Sequence, residues 1–116
     1  MDRFTQFSLQ INDFARERGW DALHDSKSLA LALVGEVGEV AEVLQWLTPE
    51  EQTHLRDDSS SHRQQLREEL ADVLIYLIEL AAHVEIDLLD AAEAKLQLNA
   101  RKHPLTAATS NDPRDE

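Results

Sequence analysis

Phe4, Phe7, Ile11 and Phe14 recur at steps of three and four, so the chain opens with an apolar stripe along one face of a helix. Arg18 and Gly19 mark its end, since glycine supplies the left-handed conformation that closes many helices. Trp20 to Lys27 reads as a polar connection in which Asp25 or Ser26 caps a second helix, expected from about Ser28 to Leu47. Thr48, Pro49, Glu50 and Glu51 then form a restart signature for a short helix: a capping hydroxyl, proline at the first helical position, and a glutamate reaching back. Asp57 to Ser61 is acidic and serine-rich and reads as an exposed turn. Beyond it, about Arg63 to Val84 is the most apolar stretch, predicted to be a helix buried on most sides. Asp87 with Asp90 caps a last helix that must stop before Pro104. The pattern is all-α, with one domain over residues 1–105 and a flexible polar tail over 106–116, which has too little apolar surface to offset the entropy of ordering.

Four acids break the apolar pattern. Glu36 and Glu39 on the second helix, and Glu69 and Asp72 on the long apolar one, form two pairs with the same three-residue step. An ionised carboxylate taken out of water costs several kcal/mol even after relaxation, so acids on inward faces shift their pKa, pair, or hold a cation. Acids three apart are common on solvated helix faces, but here both pairs lie in apolar helices. Glu69, Asp72, Tyr76, Glu79 and His83 continue one narrow polar stripe. Two pairs on facing helices make a four-carboxylate cage. Hard oxygen donors without sulfur select Mg2+, Mn2+ or Ca2+, and Mg2+ takes further ligands from phosphates. Glu42 rotates away from the apolar face and is expected to be solvated or to support the cage from outside.

Composition narrows the partners. The chain has 116 residues and a formal net charge of −12, which argues against binding a nucleic-acid polymer or an anionic membrane directly. There is no cysteine, which removes disulfides, thiolate metal sites and a cysteine nucleophile, and a cytoplasmic location is the default expectation. No apolar run approaches the ~20 residues of a spanning helix, so a soluble protein is expected.

Other residues fit a phosphate-bearing ligand beside the cage. Lys95, Asn99 and Lys102 share a face of the last helix and offer two cations and an amide, although lysines there also complement the helix dipole. Trp20, Trp46 and Tyr76 are candidate stacking surfaces for a base, and equally ordinary core residues. His24 and Lys27 lie before and at the start of the second helix, within reach of a sugar or phosphates. His83 is a candidate partner for Glu79.

The runs Glu36-Val37-Gly38-Glu39-Val40-Ala41-Glu42, Gln45-Trp46 and Glu68-Glu69-Leu70-Ala71-Asp72-Val73-Leu74-Ile75-Tyr76 strongly resemble the MazG-like nucleoside triphosphate pyrophosphohydrolases. Arg18-Gly19-Trp20, His24, Ser28 to Trp46, and Lys95 with Asn99 and Lys102-His103-Pro104 are most similar to the small dCTP pyrophosphatase subgroup, and the resemblance covers roughly residues 4–105. It implies a helical bundle completed by oligomerisation, as a dimer or a tetramer made from two dimers. It also implies hydrolysis of a nucleoside triphosphate, dCTP or a related deoxynucleotide, to monophosphate and pyrophosphate, a reaction that cleanses the nucleotide pool. By the same resemblance Glu36, Glu39, Glu69 and Asp72 hold Mg2+, with Mn2+ as a substitute; Trp20, Trp46 and Tyr76 surround base and sugar; and Lys95, Asn99 and Lys102 meet phosphate. Ile11 stands where some subgroup members carry a histidine, and the acidic loop has its own length.

A triphosphate carries about four negative charges, and bare acids repel each by roughly 1 kcal/mol at 4 Å even in water-like dielectric, so divalent cations are needed to reverse the sign. Glu36 or Glu39 is the candidate to accept a proton from the attacking water. Two rivals compete. A di-iron carboxylate bundle needs repeated Glu-x-x-His motifs, and only Glu51-x-x-His54 fits. A non-enzymatic acidic helical interaction module needs no metal at all.

Overall fold

A computed structural model describes residues 1–105 of the chain, and the expected tail, 106–116, lies outside the described residues. All regular structure among the described residues is helical, with five α-helices: α1 (Arg3–Glu17), α2 (Ser26–Leu44), α3 (Pro49–Thr53), α4 (Ser61–His83) and α5 (Leu88–Lys102). Single 3-10 turns follow α1, at Asp21–Leu23, and α3, at His54–Arg56. Contacts divide the chain into two compact units, the first Met1–Glu85 and the second beginning at Ile86.

Local chemistry sets the boundaries. Asp2, Asp25, Thr48, Ser60 and Asp87 each accept a hydrogen bond from the backbone N–H three residues on, satisfying a donor the helix leaves free. Asp25–Ser28 and Thr48–Glu51 are reciprocal capping boxes, the second as the sequence indicates. Gly19, at φ 70°, ends α1. Helix α2 stops at Leu44, earlier than the apolar pattern suggests, and leaves Trp46 in the turn before Thr48 with 83% of its surface exposed.

Within the first unit α2 and α4 form the most extensive helix pair, and α1 packs on α4. The pair is antiparallel: Leu29 shares a cavity wall with Glu79, Ala82 and His83, Glu36 meets Asp72, and Val43 stands with Gln65. Buried apolar residues come from all three helices, Ile11 and Ala15 from α1, Leu29 from α2, and Ile78 and Ala81 from α4. They gather toward one end of the α2–α4 pair, leaving its middle open to the acids. The expectation that α4 is buried on most sides does not hold. Only Ile78 and Ala81 are buried on it, while Leu70 and Leu74 are 52% and 43% exposed, because α2 and α1 cover only part of its circumference within this unit.

Glu85, just past the end of α4, takes φ 58°, a left-handed conformation that crowds any Cβ. Glu85→Gly relieves that crowding and is expected to stabilise the protein by about 1 kcal/mol, read as a higher urea midpoint at unchanged slope.

Candidate active site

The antiparallel pairing of α2 and α4 makes the two acid pairs meet, since rising numbers on one helix face falling numbers on the other. Glu36, Glu69 and Asp72 each present a carboxylate oxygen, and the three oxygens lie within 4.8 Å of one another. Oε2 of Glu36 and Oε2 of Glu69 are buried with no hydrogen-bond partner among the described residues. Glu39 adjoins this triad through both Glu36 and Glu69, although its oxygens are not part of the tight group. It lines an opening of about 410 Å3 with Glu42, Val43, Gln65 and Glu69. Glu42, read from the helix wheel as turned away, therefore shares the Glu39 side of the helix pair.

No salt bridge among the described residues reaches these acids; the four present are exposed pairs elsewhere, such as Arg16–Asp13 and His54–Asp57. The electrostatic consequence is a crowd of like charges. Burial, then the charges of Glu39 and Asp72, raises the Glu36 carboxyl above its ordinary range. Glu69 is pushed up to about 7, first by its hydrogen-bonding contact with Glu39 and then by burial and the charges of Glu39, Asp72 and Glu36. Two partnerless buried oxygens in an all-carboxylate group match the demand of a hard divalent cation, which supplies the missing positive charge and accepts the free lone pairs. The residues present thus fit Mg2+ or Mn2+, with Glu36, Glu69 and Asp72 as holders and Glu39 at the edge.

Asp72 also opens onto a second space. A cavity of about 540 Å3 lies between α1, the Trp20 connection and α4, walled by Phe7, Gln10, Ile11, Phe14, Trp20, His24, Asp72, Ile75, Tyr76 and Glu79. Phe14 and Trp20 meet edge to face at 5.5 Å, and the Arg18 guanidinium sits 3.5 Å over the Phe14 ring, fixing the aromatic wall. Tyr76 loses water contact here and lies near Glu79, Glu36 and Asp72, so its phenol is raised. The cavity is mostly apolar with a few polar groups, the usual make-up of a small-molecule site.

Of the residues singled out in the sequence, Trp20, His24, Tyr76 and Asp72 come together at this cavity. Lys27 lies exposed in the first turn of α2, and neither it nor Trp46 lines the cavity. Lys95, Asn99 and Lys102 lie on α5, in the second unit, at steps of four and three. Glu79 and His83 both line a smaller cavity of about 210 Å3, but the charge that acts on Glu79 is that of His24, while His83 acts on Asp25. Sequence reasoning missed Gln10 and Ile75 as cavity walls. It placed Phe7, Ile11 and Phe14 only on a packing stripe, because their role arises from the distant pairing of α1 with α4. The Glu-x-x-His of the di-iron rival is spent locally: Glu51 accepts the Thr48 N–H, and His54 Nδ1 lies 2.9 Å from Asp57.

The chain belongs to the MazG nucleotide pyrophosphohydrolase family, whose domain matches residues 24–106. It is 46% identical over 99 residues to dCTP pyrophosphatase 1 of Homo sapiens, covering 85% of this chain and 58% of that protein. The Bos taurus dCTP pyrophosphatase 1 is 46% identical over 93 residues, 80% of this chain and 54% of that one. The chain thus spans little more than half the length of these curated relatives. The crystal structure of a pyrophosphatase from Archaeoglobus fulgidus has the same fold, with a TM-score of 0.81 and 31% identity over 90% of this chain and 95% of that one. No helix among the described residues is long and apolar enough to cross a membrane.

Proposed function

We propose that this protein is a Mg2+-dependent nucleoside triphosphate pyrophosphohydrolase that converts dCTP or a related deoxynucleotide to monophosphate and pyrophosphate. The carrying observation is the junction at Asp72, where a carboxylate triad with two partnerless buried oxygens opens onto an aromatic-walled cavity. Family membership and the similarity to dCTP pyrophosphatase 1 support the same chemistry. The triphosphate lies toward the triad, and the base and sugar lie against Trp20, Tyr76 and Phe14. Glu36, Glu69 and Asp72 would hold a divalent cation, which would supply charge compensation for the triphosphate and acidify a water when bound. Glu39, outside the tight group yet beside Glu36 and Glu69, accepts the proton as water attacks the α-phosphorus. The bond from that phosphorus to the bridging oxygen breaks, and the electron pair leaves with pyrophosphate. Cleansing of the nucleotide pool and a cytoplasmic location go with this reading.

Trp46, Lys27, Lys95, Asn99 and Lys102 complete the substrate contacts in this proposal, within a single functional domain over 1–105. The family match, over residues 24–106, supports the part of that extent that runs across the boundary between the two compact units. Self-association into a dimer or a dimer of dimers covers the open face of α2, where Leu31, Val34 and Val37 are 62%, 67% and 50% exposed and a Cβ added at Gly35 or Gly38 meets nothing. Val34→Glu is expected to yield a smaller species by light scattering coupled to size exclusion; an unchanged mass places the interface elsewhere.

The activity test is direct. Protein, Mg2+ and dCTP give dCMP and pyrophosphate, while stepwise release of orthophosphate contradicts the reaction. The rival acidic interaction module predicts neither turnover nor any effect of Mg2+ on melting.

A further inference from the structure

Helix α4 gives the cavity a direction. Asp72, Tyr76 and Glu79 follow one another along its wall, and seven residues of helix separate the first from the last by ~10 Å. With phosphates at the Asp72 end, where the acid triad stands, the far end receives the part of a nucleotide most remote from its phosphates, the pairing edge of the base. Glu79 is the charged group of α4 at that end.

Glu79 makes no salt bridge among the described residues, and the other charge that acts on it is that of His24, which lines the same cavity. Burial raises its carboxyl and the His24 charge offsets this in part, so the group is held in a partly dehydrated place with no hydrogen-bond donor on its oxygens among the described residues. A carboxyl in that situation gains most from a ligand that brings N–H donors.

We infer that Glu79 reads the pairing edge of the substrate base and selects a base bearing an exocyclic amino group over one bearing a carbonyl there. This rests on the reaction proposed above and adds the residue that sets which base the site takes. An amino N–H donates to the Glu79 carboxyl, as glutamate accepts from the cytosine amino group in nucleic-acid readout. A carbonyl oxygen at the same place meets the Glu79 oxygens acceptor to acceptor and loses that hydrogen bond in a half-buried site. Apolar Phe7, Ile11 and Ile75 supply shape but cannot make this distinction.

dCTP and dUTP differ on the pairing edge alone, at the exocyclic group and at the adjacent ring nitrogen, which accepts in cytosine and donates in uracil, so their ratio of kcat/KM reads the edge that Glu79 faces. The wild-type protein is expected to favour dCTP over dUTP by about tenfold or more. Glu79→Gln keeps the shape and offers an amide N–H to the carbonyl, so the ratio is expected to fall about tenfold or more, with the Mg2+-dependent rise in melting temperature retained. A residue with only a structural part to play moves stability and leaves the ratio alone. Turnover with an unchanged ratio in Glu79→Gln, or a wild-type preference for dUTP, overturns the inference while the proposed reaction stands. Absence of turnover for every triphosphate tried contradicts the reaction itself, and the inference falls with it.

Discussion

Glu69→Gln and Asp72→Asn are each expected to reduce turnover of the triphosphate by about a thousandfold or more while leaving the helical circular-dichroism signal intact. Each removes one oxygen ligand charge from the group of Glu36, Glu69 and Asp72. Charge stabilisation by a bound metal is worth several kcal/mol, and each 1.36 kcal/mol is about tenfold in rate. Folding does not suffer, because removing a charge from the crowd relieves repulsion that already raises Glu36 and Glu69. Glu39→Gln is expected to lower kcat strongly with a smaller effect on metal affinity, since Glu39 lies outside the tight group. The measurement is pyrophosphate release at saturating Mg2+. Full activity in both Glu69→Gln and Asp72→Asn means the acids are assigned wrongly.

The second large effect is on stability. The folded metal-free protein holds protons at Glu69 up to about pH 7, against an ordinary value of 4.5, and Glu36 is displaced in the same direction. Between pH 4.5 and about 7 the folded state therefore binds more protons than the unfolded state, and stability falls as pH rises through that window. The capping acids Asp2, Asp25 and Glu51 act in the opposite sense, being lowered by the N–H groups they accept, but their contribution is lost at lower pH, below their ordinary values of 3.8 to 4.5. Mg2+ is expected to counter the loss above pH 7. At a concentration about a hundred times its dissociation constant it adds roughly 2.7 kcal/mol, on the order of 10 °C in melting temperature for a domain of this size. Glu69→Gln is expected to flatten the pH slope of the metal-free protein and shrink the Mg2+ shift. A wild-type melting temperature that rises from pH 5 to 7.5 without metal contradicts the arrangement.

What the sequence made legible was what local periodicity encodes. The four acids stood out because their three-residue steps interrupt apolar helices; the antiparallel α2–α4 pair gathers Glu36, Glu69 and Asp72 and leaves Glu39 at the edge, a split the helical spacing alone did not give. Helix starts at Asp25, Thr48 and Asp87 were equally readable, each being a side-chain oxygen three residues before the N–H it accepts. The cavity was not readable, because Gln10 and Ile75 become neighbours only when α1 crosses α4, a contact no local pattern announces. Leu44 ends α2 where apolar Trp46 and Leu47 suggested continuation, since the chain must turn to reach the Thr48 cap. The overestimate of α4 burial has a similar origin: an apolar composition shows that a helix wants cover, not that its own unit provides it. Glu79 was visible as part of a stripe with Tyr76, but its place at the cavity's far end came from the fold.

The central claim is that Glu36, Glu69 and Asp72 together clasp a divalent cation. Crystals grown with Mn2+ and measured at its absorption edge test this most directly. The expected result is an anomalous peak bounded by those three carboxylates, with Glu39 at its border. Anomalous peaks confined to other surface acids, with the triad empty in crystals of a protein that turns over dCTP, would contradict the account.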